Sequence, residues 1–139
     1  VTFQGKATSA QYADVAERYC ADETMNAGMV VSLGGEREIT VCRQRGSEDV
    51  FGVISSQPAV MLNSEAGNDL THPYVALTGR VPVRVFGVVS KGQRLMSSDI
   101  PGVAIAWERE YGVLAILGRS LQDKTSSTIE LVEAVVGVR

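Results

Sequence analysis

Three pairs of carboxylates stand close together in this 139-residue sequence: Asp14 with Glu17, Asp22 with Glu23, and Glu48 with Asp49. A positioned carboxylate pair can do general acid–base work. Adjacent residues on a strand point to opposite faces, so the last two pairs are poorly placed for it. Asp14 and Glu17 would face one way only on a helix. A nucleophile triad needs a serine or cysteine, a base and a group to orient the base. The one histidine, His72, precedes Pro73 in a polar stretch and reads as a solvated loop residue. The run "GVVSKGQR" lacks the spacing of a phosphate loop and is not followed by a helical pattern.

Cys20 and Cys42 form no CxxC motif, and no Cys/His cluster exists. No metal site and no cofactor are expected. The two cysteines read as half-buried thiols, because a chain of this length folds without a staple. Tyr74, Trp107 and Tyr111 could stack on a sugar ring, with Asn68 and Asp69 as polar partners for Trp107 or Tyr111. Aromatics are only 6% of the chain, so a barrel end-cap or a subunit contact is the plainer role for these rings.

The elements that must position these residues read as strands and turns. In "GMVVSLGGEREITVC", alternating apolar residues flank Gly34-Gly35, the signature of a tight hairpin with the charged tip Glu36-Arg37-Glu38. "VFGVISSQPAVML" is a second apolar run, with a bulge expected at Gly52 and a strand end at Pro58. "YVALTGRVPVRVFGVVSKGQRLM" is expected to hold two or three short strands, with Val81, Val83 and Val85 on one face. Pro82 lacks an N–H and predicts an edge or a bulge there. "VAIAWEREYGVLAILG" reads as another hairpin with the tip Glu108-Arg109-Glu110, and "GRSLQDKTS" as the place for one short helix. The last strand sets Ile129, Leu131 and Glu133 against Glu130, Val132 and Ala134. Valine and isoleucine dominate, which suits a pleated sheet.

The fold class is therefore all-β: a small antiparallel β-barrel or sandwich, hairpin-rich, with at most one short helix. Residues 1–11 are small and polar and read as a connector; residues 12–139 read as a single β-domain. Net charge is −3 with acids and bases interleaved, so no nucleic-acid partner is expected. No apolar run approaches the ~20 residues of a membrane helix, and no charged segment followed by an apolar core marks a signal peptide. "TSAQYADVAERYCADE" carries both periods: Tyr12, Val15, Ala16 and Tyr19 on a helical face, or Ala13, Val15, Glu17 and Tyr19 on a strand face. The all-β context that follows favours a leading strand over Tyr12–Tyr19.

The order of motifs carries a resemblance. "SAQYADVAERYCADE", "GMVVSLGGEREITV", "VFGVISSQPAVMLNS", "VALTGRVPVRVFGVVSKGQRLMSSDIPGVA" and "GRSLQDK" follow one another ahead of the terminal strand. This series resembles the C-terminal β-domain of tailed-bacteriophage tail fibres and neck-appendage proteins, the group of intramolecular-chaperone autoproteolytic domains often called peptidase G2. The resemblance implies a virion structural module: a homotrimeric tip that aids trimerisation and assembly of an upstream fibre shaft, made in the host cytoplasm and not inserted in a membrane. Phe86 and Val88 are the expected interface residues. A host-attachment head binding cell-surface glycan or protein is the alternative, with Trp107, Tyr111, Asn68 and Asp69 as contacts. Some members of the group cut themselves free near their own start. The matching positions here are Ser9, Asp14 and Glu17, but Gln11 stands where those members tend to carry an acidic residue. The chain is accordingly expected to be non-enzymatic.

Overall fold

One long strand organises the molecule. The computed structural model describes residues 13–139, and within them the central strand runs unbroken from Tyr74 to Phe86. In chain order the strands are β1 (Asp14–Arg18), β2 (Val30–Leu33), β3 (Ile39–Val41), β4 (Val50–Ser55), β5 (Val60–Leu62), β6 (Tyr74–Phe86), β7 (Arg94–Ser97), β8 (Ala104–Ala106), β9 (Gly118–Ser120) and β10 (Ile129–Val136). The all-β class expected from the sequence is the observed class.

The C-terminal half of β6 belongs to a closed barrel. Its five strands run β6–β8–β7–β9–β10, and β10 returns to pair with β6 from Ile129 opposite Phe86 to Val136 opposite Gly79. Closure leaves the barrel without a free edge. Val81, Val83 and Val85 from β6 and Val132, Ala134 and Val136 from β10 fill it, together with Leu95 and Leu117. The period-two alternation expected of these two strands is observed, and the register decides which side of each is core.

The N-terminal half of β6 belongs to a second sheet. β1 lies along one side of it and β4 along the other; β2 and β3 follow β4, and β5 lies beyond β1. Past β1, Ala21 bridges Ile39 of β3, which curls this sheet around a second core of Met25, Val31, Ile39, Val41, Ile54 and Val75. Neighbouring residues on β2, β4 and β6 divide between the cores. Val30, Val53 and Ala76 face the barrel, while Val31, Ile54 and Val75 face the second core. Strands buried on both faces need continuous apolar runs, which is why "VV", "VI" and "YVA" do not alternate with polar residues.

Gly79 makes the handover between the two halves. It pairs with Asp14 of β1 and Val136 of β10, and its φ of +106° belongs to glycine. A Cβ there would lie 2.5 Å from the Ala13 carbonyl oxygen. The stretch 74–96 thus holds two strands, β6 and the start of β7, within the two or three expected, but the first is 13 residues long rather than short. Pro82 sits just beyond it, opposite Glu133. The Arg84 N–H points away from β10 to the Gly28 carbonyl, so the Pro82 nitrogen, two residues earlier, faces the same way. Among the described residues no strand lies opposite it there, since β4 pairing ends at Ala76 and β8 pairing is at Val85.

Two local expectations are corrected. The stretch 103–118 is not a hairpin: β8 and β9 both pair with β7, which lies between them. Their connection carries 3-10 turns at Arg109–Tyr111 and Val113–Ala115. The segment 118–126 is not a helix; it holds β9 and a turn. Gly118 lies against the Val135 carbonyl of β10, an approach that a helix could not make. No α-helix occurs among the described residues.

Candidate interaction surface

Because odd residues of β6 and even residues of β10 fill the barrel, the even residues of β6 and odd residues of β10 face outward. Phe86 and Ile129 stand directly opposite each other on this outer face, and Leu131 lies opposite Arg84. Val88 follows just past the strand. Phe86, Val88, Ile129 and Leu131 are exposed by 42%, 59%, 45% and 59%. Phe86, Ile129 and Leu131 thus form one open apolar patch, with exposed Val88 just past the strand end, bordered by Arg84 and by an Arg80–Glu133 ion pair at 3.8 Å. Phe86 and Val88 were expected at a surface from the sequence. Ile129 and Leu131 were legible only as one side of an alternating strand; which side faced water needed the register.

β5 forms a second apolar surface that sequence reasoning missed. Val60, Met61 and Leu62 are all exposed, and among the described residues β5 pairs only with β1. Its ends are pinned. The Ala59 N–H donates to the Asp14 carbonyl, and the Asn63 amide donates to the Arg18 carbonyl.

The expected attachment residues fall into two groups. Trp107 and Tyr111 lie on the β8–β9 connection. The Trp107 indole N–H donates to the Gly112 carbonyl at 2.8 Å, and Arg109 lies over its ring at 6.0 Å. The Tyr111 ring covers Gly46, and Arg45 donates to Glu108 at 2.9 Å, so both rings build the loop. Asn68 and Asp69 lie on the β5–β6 loop. The Asn68 side-chain oxygen accepts from Leu70 N–H and Thr71 N–H, while Asp69 pairs with Arg18 at 2.9 Å. Arg18 also donates to the His72 and Ser64 carbonyls and lies 4.1 Å over the Tyr74 ring. No hydrogen bond or ion pair among the described residues joins the two groups.

Ser9 lies outside the described residues. Asp14 and Glu17 sit on β1, as the leading-strand reading expects, and the odd spacing turns them to opposite faces. Asp14 is buried, whereas Glu17 is half-exposed and accepts from the Tyr19 hydroxyl at 3.1 Å. Among the described residues, neither Asp14 carboxylate oxygen meets a hydrogen-bond donor in good geometry. Burial pushes its carboxyl above the ordinary value; the nearby Ser55 hydroxyl and the backbone N–H groups of Asp14 and Ala59 oppose this and are outweighed. The Ala59 N–H is already engaged by the Asp14 carbonyl, which limits its help. His72 sits in the β5–β6 loop with Nδ1 2.9 Å from the Thr71 hydroxyl. Cys42 is buried in the barrel core and Cys20 is half-exposed; both are free thiols.

This closed five-stranded barrel, sharing its longest strand with a second curled sheet, has counterparts among phage proteins. The chain has the fold of the C-terminal fragment of bacteriophage phi29 gene product 12, with a TM-score of 0.62 and 15% identity over 88% of this chain and 99% of that one. It is also similar to the head fiber gp8.5 N base of bacteriophage phi29, with a TM-score of 0.53 and 16% identity over 88% and 92%. The resemblance drawn from the order of motifs is thus met at the level of fold. No protein-family model and no curated protein matches the sequence.

Proposed function

We propose that this chain is a virion structural module, the C-terminal tip domain of a phage tail fibre or appendage, and that it associates with itself as a homotrimer. The observation that carries this reading is the open apolar patch of Phe86, Ile129 and Leu131, with Val88 just past the strand end, on an otherwise closed barrel. Contiguous apolar surface rimmed by charge marks a protein-interaction site. The shared fold with two phage phi29 proteins, one of them a head fiber component, supports the virion setting.

The mechanical logic follows. Registering three shaft chains costs association entropy before any contact repays it, and their strands begin as open edges. A terminal domain that folds alone and then trimerises holds the three shaft ends together at about millimolar effective concentration. Its contribution is register and local concentration, with no bond made or broken. Host attachment through Trp107 draws less support, because its indole N–H is already engaged within its own loop.

Native mass spectrometry tests the reading. The wild-type chain is expected as a trimer and Phe86→Asp as a folded monomer. A wild-type monomer would overturn the proposal, and a trimeric Phe86→Asp would remove this face from the interface.

A further inference from the structure

We infer that Arg94 and Arg119 form a binding site for a phosphate or sulfate group on the outer wall of the barrel. The site is separate from the apolar patch and does not depend on self-association.

The two arginines are far apart in sequence and meet only through the strand register. Arg94 of β7 stands directly opposite Arg119 of β9. Its neighbour Leu95 fills the barrel, and Arg119 is level with Val135, an outward residue of β10. Both guanidinium groups therefore belong to the outer wall, and both residues are partly exposed. Side chains opposite each other on neighbouring strands have Cβ atoms about 5 Å apart, and like charges in that position repel. Neither arginine has an ion-pair partner among the described residues. Arg119 is also fixed in place, because its Nε donates to the Gly92 carbonyl at 2.9 Å. That bond leaves its terminal nitrogens pointing to an acceptor that the chain does not supply among the described residues. The two nearby carboxylates are engaged: Glu133 pairs with Arg80 at 3.8 Å, and Asp123 accepts from the Lys91 N–H at 2.8 Å.

The chemistry of the occupant follows from two guanidinium forks side by side. A carboxylate is planar and fills one fork in the bidentate manner. A phosphate or sulfate group is tetrahedral and carries enough acceptor oxygens to serve two forks at once. Its negative charge also cancels the repulsion between the arginines. The row continues past Val135 to Arg80 of β6, two strand spacings or about 10 Å from Arg119. In the other direction it ends at Trp107, whose backbone N–H donates to the Arg94 carbonyl at 2.8 Å. A nucleic-acid strand fits this row poorly. Single strands are held by successive bases stacked on aromatic rings, and Trp107 is the one ring in the row. The net charge of −3 opposes a long phosphate backbone as well.

Thermal melts and titration of Trp107 fluorescence on the full chain test the site. The probes are inorganic phosphate and sulfated dextran, against chloride at equal ionic strength and uncharged dextran. At least one probe is expected to raise the wild-type melting temperature above its control. Arg94→Gln is expected to weaken that binding by about tenfold or more. Arg37→Ala removes the same charge from the β2–β3 tip and is expected to bind like wild type. A shift from phosphate alone assigns the free ion as occupant; a shift from sulfated dextran alone assigns a group carried on a saccharide chain. Without a probe, Arg94→Gln is expected to melt no lower than wild type, since it relieves the repulsion. No shift with either probe, or an equal shift in Arg94→Gln, would overturn the site. An equal loss in Arg37→Ala would reduce it to net charge, and single-stranded DNA bound more tightly than sulfated dextran would replace it with a nucleic-acid surface.

Discussion

The ring of Tyr111 lies directly over Gly46, so closely that a Cβ at position 46 would collide with it. Gly46 has a φ of +62°, and its N–H donates to the Ser97 carbonyl at 3.0 Å. This contact seats the β8–β9 connection on the β3–β4 loop, and Arg45 with Glu108 closes the same seam. Gly46→Ala should therefore unseat the connection and cost about 1–3 kcal/mol through backbone strain and overpacking. Trp107 is the only tryptophan, so its fluorescence reports on this loop alone. A red-shifted emission with a lowered melting temperature is expected; an unchanged spectrum would show that the loop holds without the glycine.

Asp14 predicts a pH dependence of stability. Its carboxyl is raised above the ordinary value of 3.8 chiefly by burial. The native state therefore binds this proton more tightly than the unfolded chain does. The contribution of Asp14 to stability is most favourable below pH 3.8, and it declines as pH rises through the raised native value. Asp14→Asn removes that decline. Its melting temperature should match or trail wild type near pH 3 and exceed it at neutral pH. Thermal melts of both proteins from pH 3 to 8 measure the difference, in which all other titrating groups cancel. A gap that shrinks with rising pH would contradict the assignment.

Lys124 is buried at 4% exposure and carries its charge among backbone oxygens. Its ammonium donates to the carbonyls of Gly87 and Ser126 at 2.8 Å each and to that of Thr128. It thus ties the segment after β6 to the turn before β10, at the edge of the Phe86–Val88 patch. Lys124→Met fills similar volume but leaves those carbonyls without a donor, and should cost about 3 kcal/mol. Urea unfolding would show this as a lower midpoint. A midpoint equal to wild type would mean that water replaces the ammonium without loss.

The legible part of the fold was carried by alternation. Val81, Val83 and Val85 against Pro82 and Arg84, and Val132 and Ala134 against Leu131 and Glu133, each placed a strand and sorted its residues by face, and the register then decided which face of β10 is core. The leading strand was legible only by context, since Tyr12, Val15, Ala16 and Tyr19 also fit a helix. The β8–β9 segment misled because three-residue strands on either side of a turn resemble a hairpin. Only the register shows that β7 lies between them. In the interaction surface, Phe86 and Val88 were legible as apolar residues breaking from the inward valines. β5 was not, because "VML" after Pro58 has the composition of a core strand.

The sequence by itself determined that the chain is all-β, where most of its strands lie and which of their residues share a face. These are local properties, set by side-chain period and turn chemistry. Tertiary structure alone decided that the barrel closes and that the "VV" and "VI" runs serve two cores. It also decided that Asp14 is buried with no hydrogen-bond partner among the described residues and that Val60–Leu62 stay exposed. Each of these depends on which strand arrives alongside, and that is settled by pairing across long sequence separations rather than by the residues at the site.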